Sequence, residues 1–139
     1  MILLDTNVIG ALMLERPDEF VVRWLDRQPR TSIWTTSVNV YETRLGLQVM
    51  PTGKRKSAMT ALFERILSET IRGRVVSFDS AAAQFAADLD AARKIKGRPR
   101  EPRDSMIAGI VLANHATLAT RNIKHFDDIA RSVVNPWTA

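Results

Sequence analysis

Apolar positions along the chain fall into short blocks of two kinds. Ile2 to Leu4 is a continuous apolar run that breaks into Asp5, Thr6 and Asn7, a pattern that fits a strand buried on both faces. Phe20, Val21, Trp24 and Leu25 recur at helical spacing until Pro29 and predict a helix. Ser32 to Thr36 (SIWTT) is rich in β-branched and aromatic residues and predicts a second strand. Ser37 is placed to cap a helix running through Val38, Tyr41, Leu45 and Val49 to Met50. Pro51, Thr52 and Gly53 make a turn. A longer helix follows, with Met59, Leu62, Phe63, Ile66 and Leu67 on its apolar face and Gly73 beyond its end.

The second half repeats this alternation. Val75 to Phe78 (VVSF) predicts a third strand, and Asp79 or Ser80 caps a helix whose inner face carries Ala82, Phe85, Ala86, Leu89, Ala92 and Arg93, closed by Gly97. KGRPREPRD is a basic turn containing two prolines. Asp104 stands where the next helix begins, with Met106, Ile107, Ile110 and Val111 on its apolar side. Thr117 to Thr120 (TLAT) and Ser132 to Val134 predict the last two strands. Strands alternating with helices imply an α/β fold, a mainly parallel sheet with helices on both faces.

Composition narrows the class. A length of 139 residues suits one domain spanning 1–139, and 45% hydrophobic residues imply a packed core. There is no repeat, low-complexity tract or long linker. Twenty Lys and Arg against 15 Asp and Glu give +5 and a pI near 10.2, a mild bias toward polyanionic partners. The absence of Cys excludes disulfides and thiolate metal sites. Asp5 interrupts the first apolar run with no basic segment before it, unlike a signal peptide, and Val8 to Leu14 is far shorter than the ~20 residues of a membrane span. A cytoplasmic protein is expected.

In open α/β sheets, ligands bind outside the carboxyl ends of the strands. Asp5 directly follows the first strand, Glu42 lies early in the helix after the second, Asp104 begins the helix before the fourth, and Asn122 follows the fourth. All four are expected at one rim. At an effective dielectric of about 20, each like-charge pair a few ångströms apart costs roughly 2–4 kcal/mol, so such a cluster needs a positive charge to offset it. Oxygen-only donors suit a hard cation, Mg²⁺ or Mn²⁺. Singly, each residue has a plainer reading: Asp5 and Asp104 as caps, Glu42 as a solvated helix position, Asn122 as a turn residue. The argument rests on their coincidence.

LLDTNVI, Glu42 within SVNVYETRLG, Asp104 within PRDSMIAGIVLANHATLATRN, then KHF and a terminal NPW, resemble the PIN-domain nucleases over essentially the whole chain. The similarity is to VapC-type toxins of toxin–antitoxin pairs, in the FitB-like branch. That resemblance implies a three-layer α/β/α sandwich and Mg²⁺-dependent cleavage of RNA, with Asp5, Glu42 and Asp104 as metal-site acids and Thr6 and Asn7 bracing Asp5. The family's fourth acidic position falls at Asn122, which offers oxygen without charge and puts a second metal in doubt. The resemblance also implies a homodimer, an antitoxin whose tail covers the acidic cleft, and contact with DNA only through that antitoxin.

Lys54 and Arg55 in one basic turn, and Arg98, Arg100 and Arg103 in the other, are candidates for RNA phosphates; solvated loops are the plainer alternative. Trp24 and Trp34 are expected in the core, Trp137 as an anchor for the tail, and His115 and His125 in structural roles. Gly53–Lys54 lacks the flanking residues of a P-loop, and no G-x-S-x-G or G-x-G-x-x-G occurs. Two other functions compete with the nuclease. One is a catalytically silent nucleic-acid- or protein-binding module, suggested by Asn122. The other is a phosphatase with Asp5 as nucleophile, disfavoured because Asn7 stands where its second Asp belongs.

Overall fold

The computed structural model describes residues Met1–Ala139. Five short strands, β1 (Ile2–Leu4), β2 (Ile33–Thr36), β3 (Val75–Val76), β4 (Thr117–Ala119) and β5 (Val133–Val134), form one sheet in the order β3-β2-β1-β4-β5. Every pairing is parallel, as the alternation of strands and helices requires. Leu3 lies opposite Trp34 on one side and Leu118 on the other.

The helices are α1 (Thr6–Leu12), α2 (Glu19–Asp26), α3 (Ser37–Gln48), α4 (Lys54–Arg65), α5 (Ser80–Ile95) and α6 (Pro102–Ala113). Alternation along β1 sends Leu3 and Leu4 to opposite faces, and both are fully buried. Leu4 joins a core with Val8, Ile9, Val21, Trp24, Leu47 and Phe63, from α1, α2, α3 and α4. Leu3 joins a second core with Val38, Ala82, Ile107, Val111 and Phe126, from α3, α5, α6 and the 3₁₀ turns over Ile123–Ser132. The result is the expected α/β/α sandwich. Trp34 packs against the second core, and the Trp137 indole N–H donates to Asp18 Oδ2 at 3.1 Å, anchoring the tail.

The closest helix contact is between α5 and α6. A Cβ on Gly109 would collide with the Ala82 carbonyl oxygen and stand 2.8 Å from Ala86 Cβ, so the two helices meet backbone to backbone. This contact sets the position of α6, whose first turn carries Asp104.

Several local expectations are corrected. Residues 6–12 form a helix that apolar spacing did not announce, because it is short and begins at once after β1. Thr36, not Ser37, caps α3: its hydroxyl accepts from the Asn39 N–H at 3.1 Å. Phe85 is 42% exposed on α5; the close contact with Gly109 is made by Ala82 and Ala86 instead. The third strand ends at Val76, two residues early. The helix after the first basic turn runs on as a π-helical segment, Ile66–Ile71, before left-handed Arg72 and Gly73 stop it.

The chain steps from β1 to β2 to β3 along one direction, then returns to place β4 on the other side of β1. The crevice where this order reverses lies at the carboxyl ends of β1 and β4. Asp5 and Thr120 are the next residues after those two strands.

Candidate metal centre

The Asp5 N–H donates to the Ala119 carbonyl at 3.0 Å, carrying the β1–β4 ladder one residue further before the chain turns into α1. The Asp5 carboxylate is thereby held in the crevice, 5% exposed. Its Oδ1 accepts from the Thr6 backbone N–H and from Asn39 Nδ2, both at 2.8 Å. Its Oδ2 accepts from the Thr120 hydroxyl at 2.7 Å and from Asn7 Nδ2 at 3.3 Å. All four donors are neutral. They fix the orientation of the carboxylate and satisfy its oxygens without cancelling its charge.

Glu42 arrives from α3. The Thr6 hydroxyl donates to Glu42 Oε1 at 2.9 Å and accepts from Asn39 Nδ2 at 3.0 Å, so one threonine links the first and second acids. Glu42 Oε2 faces Arg103 Nε at 3.7 Å. Asp104 arrives on the first turn of α6 and faces His125 Nδ1 at 3.4 Å. Burial pushes the Glu42 carboxyl above its ordinary range. The Thr6 hydrogen bond opposes this, the charges of Asp5 and Asp104 add to it, and Arg103 draws it back. Asp104 is likewise raised, first by burial; His125 lowers it and Asp5 raises it further. The three carboxylates therefore share one negative field.

No three Asp, Glu or His side chains are gathered tightly enough to enclose an ion as they stand. The donor set nevertheless fits a hard divalent cation, being oxygen-only, partly buried and short of positive charge. Mg²⁺ usually keeps several waters, so carboxylates lining a cleft can hold it without closing into a cage.

The expected bracing residues are both in place. Thr6 bridges Asp5 and Glu42; Asn7 donates to Thr120 at 3.0 Å and accepts from the Arg121 N–H at 3.0 Å. Asn122 follows β4 as expected, and its backbone N–H donates to Thr120 Oγ1 at 3.0 Å, but its side chain is exposed and makes no hydrogen bond. Of the five basic candidates, only Arg103 touches the acids. Lys54 and Arg55 line a separate groove of about 820 Å³ with Met13, Leu14 and Met59. Arg98 and Arg100 line a cavity of about 430 Å³ beside Arg93 and Asp128.

Asn39, Thr120 and His125 belong to the site and were not anticipated in it. Asn39 had a readable signal: it stands three residues before Glu42, on the same face of one helix, flanked by two valines. Thr120 had a weaker one, a hydroxyl ending an apolar strand. Nothing in the sequence marks the approach of His125. A further cluster lies behind Asp104. Buried Arg93 donates from Nε and Nη2 to both oxygens of Asp128, at 2.7 and 2.9 Å, and from Nη1 to Ser105 Oγ at 2.9 Å. Ser105 in turn donates to Asp90.

The PIN domain family pattern matches residues 2–132. The VapC ribonuclease Y4jK of Sinorhizobium fredii is 36% identical over 137 residues, covering 99% of this chain and 98% of that protein. The toxin FitB of Neisseria gonorrhoeae is 33% identical over 137 residues, covering 99% of each. The crystal structure of FitAcB from Neisseria gonorrhoeae superposes with a TM-score of 0.88 at 32% identity, covering all of both chains. With the fold, the acid-lined crevice and these full-length relatives in agreement, the chain belongs to the PIN domain family.

Proposed function

We propose that this protein is a Mg²⁺-dependent endoribonuclease and the toxin of a toxin–antitoxin pair, with Mn²⁺ as an alternative metal. The observation that carries the reading is the crevice itself: Asp5 is held by four neutral donors, within the shared field of Glu42 and Asp104. A protein that needed only a packed core would have no use for three carboxylates so loosely offset there. Relatives named as a ribonuclease and as a toxin support the same reading.

Asp5, Glu42 and Asp104 would hold the metal, directly or through water. When bound, the metal supplies positive charge for a phosphodiester and lowers the pKa of a nearby water. The chain's own groups do the rest. Asn39, Thr120, Asn7 and the Thr6 N–H keep Asp5 in one orientation, and the Thr6 hydroxyl keeps one Glu42 oxygen turned inward. One of the three carboxylates, or a water it holds, would take the proton of the attacking water.

The same reading proposes three partners: an RNA strand, an antitoxin that covers the crevice and neutralises it with a basic side chain, and a second copy of the chain. Relatives solved as toxin–antitoxin complexes support the antitoxin. DNA is reached through the antitoxin. No helix is long and apolar enough to cross a membrane. A second reading, a silent binding module, draws on the exposed, unbonded Asn122 side chain and on the absence of a closed acidic trio.

Incubating a partly single-stranded RNA pool with the protein in Mg²⁺, Mn²⁺ and EDTA, beside Asp5→Asn, separates the two. Metal-dependent fragments that disappear with the variant are expected. No cleavage by the wild type, together with no heat of metal binding, would favour the silent module.

A further inference from the structure

The two oxygens of Glu42 are held very differently. Oε1 accepts a 2.9 Å hydrogen bond from Thr6, whose own position is fixed by Asn39. Oε2 faces only the Arg103 guanidinium, at 3.7 Å, an ion contact that is not a hydrogen bond. Arg103 has a second seat, since its guanidinium lies 5.8 Å from the centre of the Tyr41 ring. Its side chain is 40% exposed, against 23% for Glu42. A contact this long, between groups this open to water, is weak and readily given up.

Arg103 nonetheless occupies a special position. It immediately precedes Asp104 at the start of α6, and its guanidinium lies against Glu42. In the absence of metal it is the permanently charged cation facing Glu42. A divalent cation held by Glu42 would take over that neutralising role and repel the guanidinium. Arg103 would then be free, though still fixed by the backbone beside Asp104. A planar guanidinium matches two oxygens of a phosphate.

We propose that Arg103 is a resident counter-ion of the acid crevice, which pairs with Glu42 until a divalent cation displaces it and then binds a phosphate of the RNA strand. The inference rests on the ribonuclease reading and adds a switch of partners to it. Its signature is a pair of opposite effects. Removing Arg103 removes a competitor of the metal and a ligand of the RNA at once. A purely structural ion pair would change both affinities in the same direction, or neither.

The test measures two affinities in Arg103→Ala and Arg103→Lys. Mn²⁺ binding to the RNA-free protein is followed by calorimetry. Binding of a fluorescein-labelled single-stranded RNA to the protein with Asp5 intact is followed by anisotropy, with and without saturating Mn²⁺, over times at which gels show the strand uncut. Arg103→Ala is expected to bind Mn²⁺ a few-fold more tightly. In Mn²⁺ it is expected to bind RNA roughly tenfold more weakly, the equivalent of one charge-assisted contact. The slope of log affinity against log salt should fall by about one unit. In EDTA, where Glu42 retains Arg103, RNA affinity should change little. Arg103→Lys should keep the salt slope and lose part of the affinity. Weaker Mn²⁺ binding, or an RNA effect equal in EDTA and Mn²⁺, overturns the switch. Absence of both Mn²⁺ and RNA binding from the protein with Arg103 intact would instead remove the ribonuclease reading beneath it.

Discussion

Two clusters of buried charge lie side by side at α6, and they are built on opposite principles. Around Arg93 every charge has a partner: Asp128 takes two parallel N–H donors, Ser105 takes a third, and Asp90 accepts from Ser105. The guanidinium holds Asp128 below the ordinary carboxylate range. One residue away in sequence, Asp104 is pushed up, first by burial and then by Asp5 despite His125. The first cluster is closed and joins α5, α6 and the turn before β5. The second retains negative charge that the protein's own cations offset only loosely. A closed cluster serves the fold, whereas an open one costs stability and is retained where an external cation completes it.

The largest expected consequence concerns the closed cluster. Arg93→Met should leave buried Ser105 and the partly exposed Asp128 without their donor, costing about 2 kcal/mol, read from the urea midpoint. A loss well under 1 kcal/mol would mean that water replaces the guanidinium and that the cluster is less closed than its geometry suggests. Next comes the bracing of Asp5. Thr120→Val keeps the shape of a fully buried side chain but removes a 2.7 Å hydrogen bond to Oδ2. Metal affinity should fall about 10–100-fold by calorimetry, with a smaller change in the unfolding midpoint.

The open cluster predicts the reverse sign for stability. In EDTA, Asp104→Asn should raise stability by roughly 1 kcal/mol, because it removes a charge from the shared field. The same variant should lose RNA cleavage. A variant that is both less stable and inactive would place Asp104 with the structural residues.

The smallest effects are in pH dependence, and the two clusters have opposite signs. Asp128 has a lowered carboxyl, so its contribution is full above the ordinary carboxylate value, near 4, and is lost as pH falls through its lower folded value. Glu42 and Asp104 have raised carboxyls, so without metal their cost to stability grows as pH rises from the ordinary value through the raised ones. Stability curves in EDTA should therefore fall more gently in acid for Arg93→Met. They should decline less toward neutral pH for Glu42→Gln.

Local patterns in the chain are enough to specify the architecture. Apolar runs of three to five residues alternating with helical stretches require a parallel sheet covered on both faces, and all five strands lie where those runs placed them, to within two residues. Asp5, Glu42 and Asp104 could be grouped at one rim because polar groups interrupt apolar patterns at strand ends and near helix starts, where the sheet rule sends ligands; Thr6 came from the family resemblance, and Asn122, grouped by the same rule, has an exposed, unbonded side chain. Distances across the fold were not legible. Thr120 is 115 residues from Asp5, and Arg93 is 35 from Asp128, so no local pattern can report either contact. The sequence likewise grouped Arg98, Arg100 and Arg103 in one basic turn. In the structure the first two line a separate cavity, and only Arg103 lies against a site acid. Periodicity announces where helices lie, but it does not fix their buried faces: Phe20, Tyr41, Leu45, Val49 and Phe85 are exposed. The order of the strands and the packing of the helices decide which faces meet, and hence which charges find partners and which remain open to a ligand.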